Sequence, residues 1–212
     1  MEVKKILYAL KKIRDIENER KEKRKFNQTL DLIINLKDFN IKKNSFNAFV
    51  YIPAKFKNKK IAAFLEKDSK LIDVIKKDDF VKFKDKKDIK KLLNKYDNFI
   101  ASAKLMPSIA TTFGRVLGPA GKMPNPQLGI LTSEDDKSIN SVIEKINSTI
   151  KIAVKEPTIK LAVGKESLND DEIAMNIISV YTKILENLPK GKDNIRNVKI
   201  KFTMSAPLNI EL

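Results

Sequence analysis

The sequence predicts a mixed α/β and α+β protein of two domains, in which a discontinuous α+β domain formed by both termini carries an inserted α/β domain. Segments near both ends alternate apolar and polar residues, as strands do when one face is buried. The middle of the chain instead holds short continuous apolar runs separated by helical patterns, which favours a parallel sheet covered on both sides. At 212 residues, the chain is long enough for two cores. We place the terminal domain at residues 1–55 and 150–212 and the inserted domain at residues 56–149.

The first elements are an amphipathic helix over residues 2–19 and two strands over residues 29–36 and 46–52. The helix has apolar residues at helical spacing, with lysines mostly on its other faces. Both strands place apolar side chains at every second position. These apolar positions are Val3, Ile6, Leu7, Leu10 and Ile13 in the helix, Leu30, Leu32, Ile34 and Leu36 in the first strand, and Phe46, Ala48, Val50 and Ile52 in the second.

The inserted domain begins with a continuous apolar strand at residues 61–65, and residues 99–101 resemble it. Between these strands, helical patterns occur around residues 71–76 and 88–96, and a short strand is predicted at residues 80–83. Strands that alternate with helices predict right-handed crossovers between parallel strands.

Residues 113–129 contain four of the six glycines and three of the eight prolines, and they predict a shaped loop rather than a helix or strand. The loop also carries Arg115 and Lys122, so it suits phosphate. It does not match a Walker loop, because Met123 follows Gly121-Lys122 where Ser or Thr is needed to hold magnesium. The dinucleotide fingerprint Gly-x-Gly-x-x-Gly occurs nowhere. Two roles stay open for Arg115 and Lys122: a secondary phosphate contact, or struts within the domain.

The C-terminal part returns to the half-exposed pattern after a helix that begins near Thr132-Ser133. A strand around residues 159–163 follows, then a helix that begins at Asn169 and ends before Pro189, and finally a strand over residues 198–204. The apolar positions are Ile139, Val142, Ile143 and Ile146 in the first helix, Ile159, Leu161 and Val163 in the strand, and Val198, Ile200, Phe202 and Met204 in the last strand.

Composition favours a nucleic-acid partner over catalysis. The chain has no Cys and no His, which removes the Ser-His-Asp, Cys-His and usual zinc sites and leaves Lys, Asp, Glu, Ser, Thr and Tyr for catalysis. We expect no catalytic residues, metal or cofactor. Its 43 Lys and Arg against 27 Asp and Glu give a net charge of +16, and that charge favours a polyanion. An alternative is that the lysines reflect an AT-rich genome and a solvated surface. Because no apolar run is long enough to span a bilayer, we expect no membrane partner.

Four motifs in order resemble the ribosomal protein L1 family, the family of the large-subunit L1 stalk. Residues 114–126 read Gly-Arg-Val-Leu-Gly-Pro-Ala-Gly-Lys-Met-Pro-Asn-Pro, like the family signature. Residues 25–32, Lys-Phe-Asn-Gln-Thr-Leu-Asp-Leu, are similar to its first strand. Val163-Gly-Lys-Glu-Ser167 resembles its Val-Gly-Lys-x-Ser turn, and Phe202-Thr-Met204 resembles its last strand. The compact length and the Gln28-Thr-Leu-Asp31 sequence resemble archaeal or eukaryotic-type members more than bacterial ones.

The resemblance implies a Rossmann-like inserted domain and an rRNA-binding terminal domain. It implies that RNA meets the place where two strands join, and it assigns that contact to Lys25, Phe26, Gln28, Thr29, Lys165, Thr203, Met204 and Ser205. Met204 continues the apolar phase of its strand, so part of its side chain is expected toward the core, and Ser205 stands where the family has a glycine that lets RNA approach closely. Lys165 is either a phosphate contact or a solvated turn residue.

The function implied is a non-catalytic, cytoplasmic protein of the ribosome that binds 23S-type rRNA and is a monomer when isolated. The resemblance extends to the mobile stalk near the E site, to E-site tRNA release and to repression of its own mRNA. Two alternatives are an extraribosomal RNA-binding paralogue and a phosphate-handling enzyme that uses the loop with Lys122.

Overall fold

A computed structural model describes residues 2–19, 24–83 and 86–211, and in them the chain is a mixed α/β protein. The α-helices are α1 (Val3–Asn18), α2 (Ile41–Asn44), α3 (Lys86–Lys95), α4 (Met106–Leu117), α5 (Asp136–Asn147) and α6 (Asp170–Asn187). The strands are β1 (Thr29–Leu36), β2 (Asn47–Tyr51), β3 (Ile61–Phe64), β4 (Asp73–Ile75), β5 (Asn98–Ser102), β6 (Ile130–Leu131), β7 (Thr149–Ala153), β8 (Thr158–Lys165), β9 (Ile195–Phe202) and β10 (Leu208–Ile210). Within the described residues, no helix is both long and apolar enough to cross a membrane.

The chain divides into two compact units, of which the first comprises Met1–Phe56 and Ser148–Leu212. This first unit contains a four-stranded sheet in the order β10-β9-β1-β8 and a separate antiparallel pair, β2-β7. In β1, every second side chain is buried, as the alternation predicts. These side chains belong to one core with the apolar stripes of α1 and α6, so the two helices cover the inner side of the sheet.

The second unit, Lys57–Asn147, contains a parallel sheet in the order β4-β3-β5-β6. All four residues of β3 are buried, which explains its continuous apolar sequence. Ala62 and Phe64 pack in a core with α3 and α4, whereas Ile61 and Ala63 pack in another core with α5. Helices therefore cover both faces of this sheet.

Two elements of the second unit differ from the sequence prediction. Residues 73–75, expected in a helix, form the short strand β4, which pairs with β3. Residues 80–83, expected as a strand, lie in a 3-10 helix, Lys77–Phe83. There, Phe80 and Phe83 are three residues apart, and both rings contact the Phe113 ring. This spacing matches one turn of a 3-10 helix.

The predicted loop at residues 113–129 is also corrected, because its first five residues belong to α4. Ile109, Phe113 and Leu117 are fully buried at a spacing of four residues, which is the buried stripe of a helix. The loop proper begins at Gly118 and includes Gly121, whose φ of +67° is a left-handed conformation that suits glycine.

Candidate nucleic-acid interface

The start of β1 lies beside the ends of two other strands. Because β1 runs antiparallel to both neighbours, Thr29 is paired with Lys165 of β8, and Leu30 is paired with Phe202 of β9. Residues 25–29, 165–167 and 203–205 therefore meet at one end of the sheet. We call these three segments the strand-junction surface.

Thr29 and Thr203 join two of the three segments through hydrogen bonds. The Thr203 N–H donates to the Thr29 carbonyl at 3.0 Å, and the Thr29 N–H donates to Thr203 Oγ1 at 3.1 Å. Thr203 Oγ1 also donates to the Thr29 carbonyl at 3.3 Å. The hydroxyl therefore uses its one proton within the protein and keeps one lone pair for a ligand.

Four of the predicted contacts are exposed: Lys25, Phe26, Thr203 and Met204. Phe26 is 50% exposed and Met204 is 49% exposed, which is unusual for large apolar side chains. The expectation that Met204 points partly to the core is wrong, because β9 ends at Phe202 and a turn carries Met204 to the surface. Lys165 is half-buried at the end of β8.

Gln28 does not face solvent, and the expected direct RNA contact is corrected. Its side chain is 1% exposed. Gln28 Nε2 donates to the Glu17 carboxylate at 3.0 Å, and Gln28 Oε1 accepts from the Met204 N–H at 3.2 Å. Gln28 therefore holds the turn at Met204 against α1 from beneath the surface.

Ser205 is likewise turned inward and is 7% exposed, so its expected direct contact is corrected too. Its Oγ accepts from the Phe202 N–H at 2.8 Å and closes the turn. Among the described residues, the only non-glycine residue with a positive φ is Asp38, so Ser205 stands in ordinary backbone. The inward hydroxymethyl leaves the outer side of the turn open.

Arg14 supports the same surface and was missed by the sequence analysis. Its guanidinium forms an ion pair with Asp170 at 2.7 Å and donates to the carbonyls of Glu166 and Leu168, both at 2.8 Å. The side chain thus fixes the turn that follows β8. One sequence signal was present: Arg14 is the only arginine among the lysines of α1, and the guanidinium fork suits several acceptors at once.

In the second unit, Lys122 and Arg115 have different surroundings. Lys122 Nζ donates to the carbonyls of Leu93 and Tyr96, each at 2.7 Å, at the C-terminal end of α3. A cation there satisfies carbonyls that the helix leaves unpaired. Of the two roles left open, this geometry is that of a strut. Arg115 is exposed on α4.

A carboxylate occupies the carboxyl ends of β3 and β5, where open parallel sheets bind phosphates. Glu134 accepts from the N–H of Glu66 at 3.2 Å and from the N–H of Lys67 at 3.1 Å. Burial alone would raise the pKa of Glu134, but hydrogen bonds from the Lys67 and Glu66 N–H groups and from Ser102, with the charge of Lys104, lower it. The N–H groups of Glu66 and Lys67 at this edge of the sheet are therefore engaged by the chain itself.

Comparisons with known proteins agree with the motifs. Residues 17–206 match the ribosomal protein L1p/L10e family. A protein of Nanoarchaeum equitans, named large ribosomal subunit protein uL1, is 33% identical over 198 residues, which cover 89% of this chain and 93% of that protein. Proteins of the same name are 33% identical in Methanobrevibacter smithii, with 91% and 93% covered, and 35% identical in Pyrococcus horikoshii, with 89% of each covered. With this match over most of its length, the chain belongs to the ribosomal protein L1p/L10e family.

Proposed function

We propose that this chain binds the 23S-type rRNA of the large ribosomal subunit through the strand-junction surface, as a structural component of the cytoplasmic ribosome. Its archaeal relatives are named as large-subunit proteins. The observation that carries the proposal is the exposure of Phe26 and Met204 around the hydrogen-bonded Thr29–Thr203 pair in a chain of charge +16. The family consists of ribosomal proteins, so the chain is not assigned an enzymatic activity.

Each exposed group suits a different part of RNA. The ring of Phe26 can stack on an unpaired base, and Met204 offers apolar contact beside it. Because the hydroxyl proton of Thr203 is used by the Thr29 carbonyl, its free lone pair accepts rather than donates. A ribose 2′-OH can donate to it, whereas a phosphate oxygen cannot, so Thr203 favours RNA over DNA. Lys25 and Lys165 supply positive charge for phosphates.

We assign RNA binding to the unit of Met1–Phe56 and Ser148–Leu212, because all three segments of the surface lie in it. The other unit is then a Rossmann-like insertion. Its strand order, 2-1-3-4 when its own strands are numbered along the chain, is that of the flavodoxin-like variant of doubly wound sheets.

The finer role that the family resemblance supports is that of the mobile stalk near the E site, where the protein assists release of tRNA. Repression of its own mRNA follows if that message carries a copy of the rRNA site. We propose that the isolated protein is a monomer. An extraribosomal paralogue is the competing assignment, and mass spectrometry of purified large subunits separates the two, because only a ribosomal protein is present there in stoichiometric amount.

Binding to a stalk rRNA fragment from an archaeal large subunit tests the proposal directly. If several phosphates are neutralised, log Kd should rise linearly with log salt concentration, with a slope of several released ions. Thr203→Val should weaken binding to this RNA more than binding to a DNA of the same sequence. A flat salt response, or equal loss for RNA and DNA, would contradict the proposed contacts.

A further inference from the structure

A groove lies between α1 and the edge strand β10, outside the strand-junction surface. Its volume is about 330 Å³, within the range of small-ligand sites. Tyr8 forms one wall and is 71% exposed, although a tyrosine ring normally buries much of its apolar area. Asn209 and Glu211 line the opposite wall. Tyr8 plays no part in the core of the first unit.

The charge around Tyr8 is positive. Lys4, Lys5 and Lys12 line the groove, against one carboxylate, that of Glu211. Lys4 and Lys12 are four residues before and four residues after Tyr8, so both lie on the same side of α1 as the ring. Proteins bind unpaired nucleotides by combining a positively charged groove with an exposed aromatic ring on which a base stacks, and this groove has both.

The opposite wall offers hydrogen-bonding groups suited to a base edge. The Asn209 amide can donate and accept at once, as recognition of a base requires. Among the residues that the structure describes, β10 is the last strand of its sheet, and one side of its backbone pairs with no other strand there. A base that stacks on Tyr8 would place its edge toward these groups and its phosphates toward the lysines.

We propose that this groove binds one unpaired nucleotide of the RNA, as a second contact beyond the strand-junction surface, an inference that rests on the proposed RNA-binding function. The two sites are connected through α1. Glu17, which bonds to Gln28, is nine residues from Tyr8, about 13 Å along the helix axis. One folded RNA can span that distance and occupy both sites.

The test uses the full chain and the archaeal stalk rRNA fragment, with thermal melts of every variant. Tyr8→Leu should weaken binding about fivefold or more, whereas Tyr8→Phe should bind like the wild type, because phenylalanine keeps the stacking face. The matched control is Tyr51→Leu, which removes a ring that is 67% exposed on β2 and should leave affinity unchanged. Ultraviolet crosslinking followed by mass spectrometry should place a nucleotide adduct on the peptide that contains Tyr8.

A pair of adjacent lysines provides the charge control. Lys11 and Lys12 are both exposed on α1, but only Lys12 lines the groove. Lys12→Gln should weaken binding more than Lys11→Gln at the same salt concentration. Equal effects of the two substitutions would argue for diffuse attraction and would overturn the groove.

Three further results separate failure of the groove from failure of the proposed function. If Tyr8→Leu binds like the wild type while Phe26→Ala binds more weakly, the groove proposal is wrong and the strand-junction surface stands. If the wild type does not bind the fragment, both fail. If a ten-residue glutamate-rich peptide binds the wild type but not Tyr8→Leu, and the RNA binds both proteins equally, the groove is a peptide site instead.

Discussion

Phe26 and Met204 expose half of their surface and lie outside the regular strands, so their removal should affect the ligand rather than the fold. We predict that Phe26→Ala weakens binding of the rRNA fragment by about 1–3 kcal/mol, the usual contribution of one base stacked on an aromatic ring. Met204→Ala should also weaken binding. Both variants should melt at the wild-type temperature, which calorimetry beside the binding curves checks.

Gln28→Ala is the matched contrast, because it removes a buried side chain that supports the strand-junction surface and leaves the exposed side chains of that surface in place. The substitution removes the bonds to Glu17 and to the Met204 N–H, and a buried group left without its partner costs about 1–3 kcal/mol. We therefore expect a lower melting temperature together with weaker RNA binding. A variant that binds weakly but melts like the wild type would mean that Gln28 contacts RNA after all.

Glu134 gives the second unit a stability that depends on pH. Its pKa is lowered from 4.5 in the folded chain, so its contribution is present above pH 4.5 and is lost as pH falls through the lower, folded value. We predict that Glu134→Gln destabilises this unit at pH 7 and that the difference shrinks toward zero in strong acid. Denaturant unfolding across that range measures it. Glu66→Gln, at an exposed side chain nearby, should leave the stability at pH 7 unchanged.

The strand-junction surface could be predicted from the sequence only in outline. The family resemblance placed Thr29 and Thr203 where two strands meet, and the structure joins them by hydrogen bonds. Neither the resemblance nor the strand alternation could separate the residues that face outward from those that support them. Gln28 precedes the alternating run, so no periodicity assigns its face, and its partner Glu17 lies on a different element. Met204 continues the apolar alternation of β9 in the sequence, but the strand itself ends at Phe202, two residues earlier.

At the scale of elements, the C-terminal end of α3 is stabilised by a side chain from the loop that begins at Gly118. Lys122 holds the carbonyls of Leu93 and Tyr96, so Lys122→Met should destabilise the second unit by about 1–2 kcal/mol while keeping the apolar stem. RNA affinity should stay unchanged, because the ammonium is engaged within the protein. Lys137→Met, at an exposed position on α5, is the control. If Lys122→Met weakened RNA binding and left the melting temperature unchanged, Lys122 would be a phosphate contact.

The longest elements were predicted correctly, because α1, β1 and α6 carry enough apolar positions to define a period. β3 and β5 are short, but their continuous apolar sequences indicated buried strands. β4 has three residues and exists because β3 offers it a pairing edge, which local sequence does not encode. In α4, the glycines favoured a loop, whereas two features of the sequence favoured a helix. These are the buried apolar stripe and Pro107, a residue type that is common in the first turn of a helix.

At the scale of the whole molecule, the chain leaves the first unit after β2 and re-enters it at β7, and these two strands are paired. Tyr51 lies opposite Thr149, and the Ile52 N–H donates to the Ser148 carbonyl at 2.8 Å. Residues 57–147 can therefore be replaced by a short glycine linker that closes a hairpin. We predict that this shortened protein folds and keeps most of its affinity for the rRNA fragment, as measured by circular dichroism and binding titration.

The excised second unit provides the complementary measurement. Residues 57–147 alone should bind the same RNA weakly despite their lysines, because the strand-junction surface is absent from them. If this piece instead bound as tightly as the full chain, the principal RNA contact would lie in the second unit.

The pairing of β1 also determines when the strand-junction surface can form during synthesis. β1 is made early, yet both of its partners, β8 and β9, are translated more than 120 residues later. Residues 57–147 form their own hydrophobic cores and can fold on the translating ribosome. At that stage, the partners of β1 have not yet been synthesised. Thr29 acquires Thr203 only after β9 has emerged, so an interrupted nascent chain carries positive charge but no assembled site. A chain whose translation stops before residue 203 therefore lacks the complete strand-junction surface.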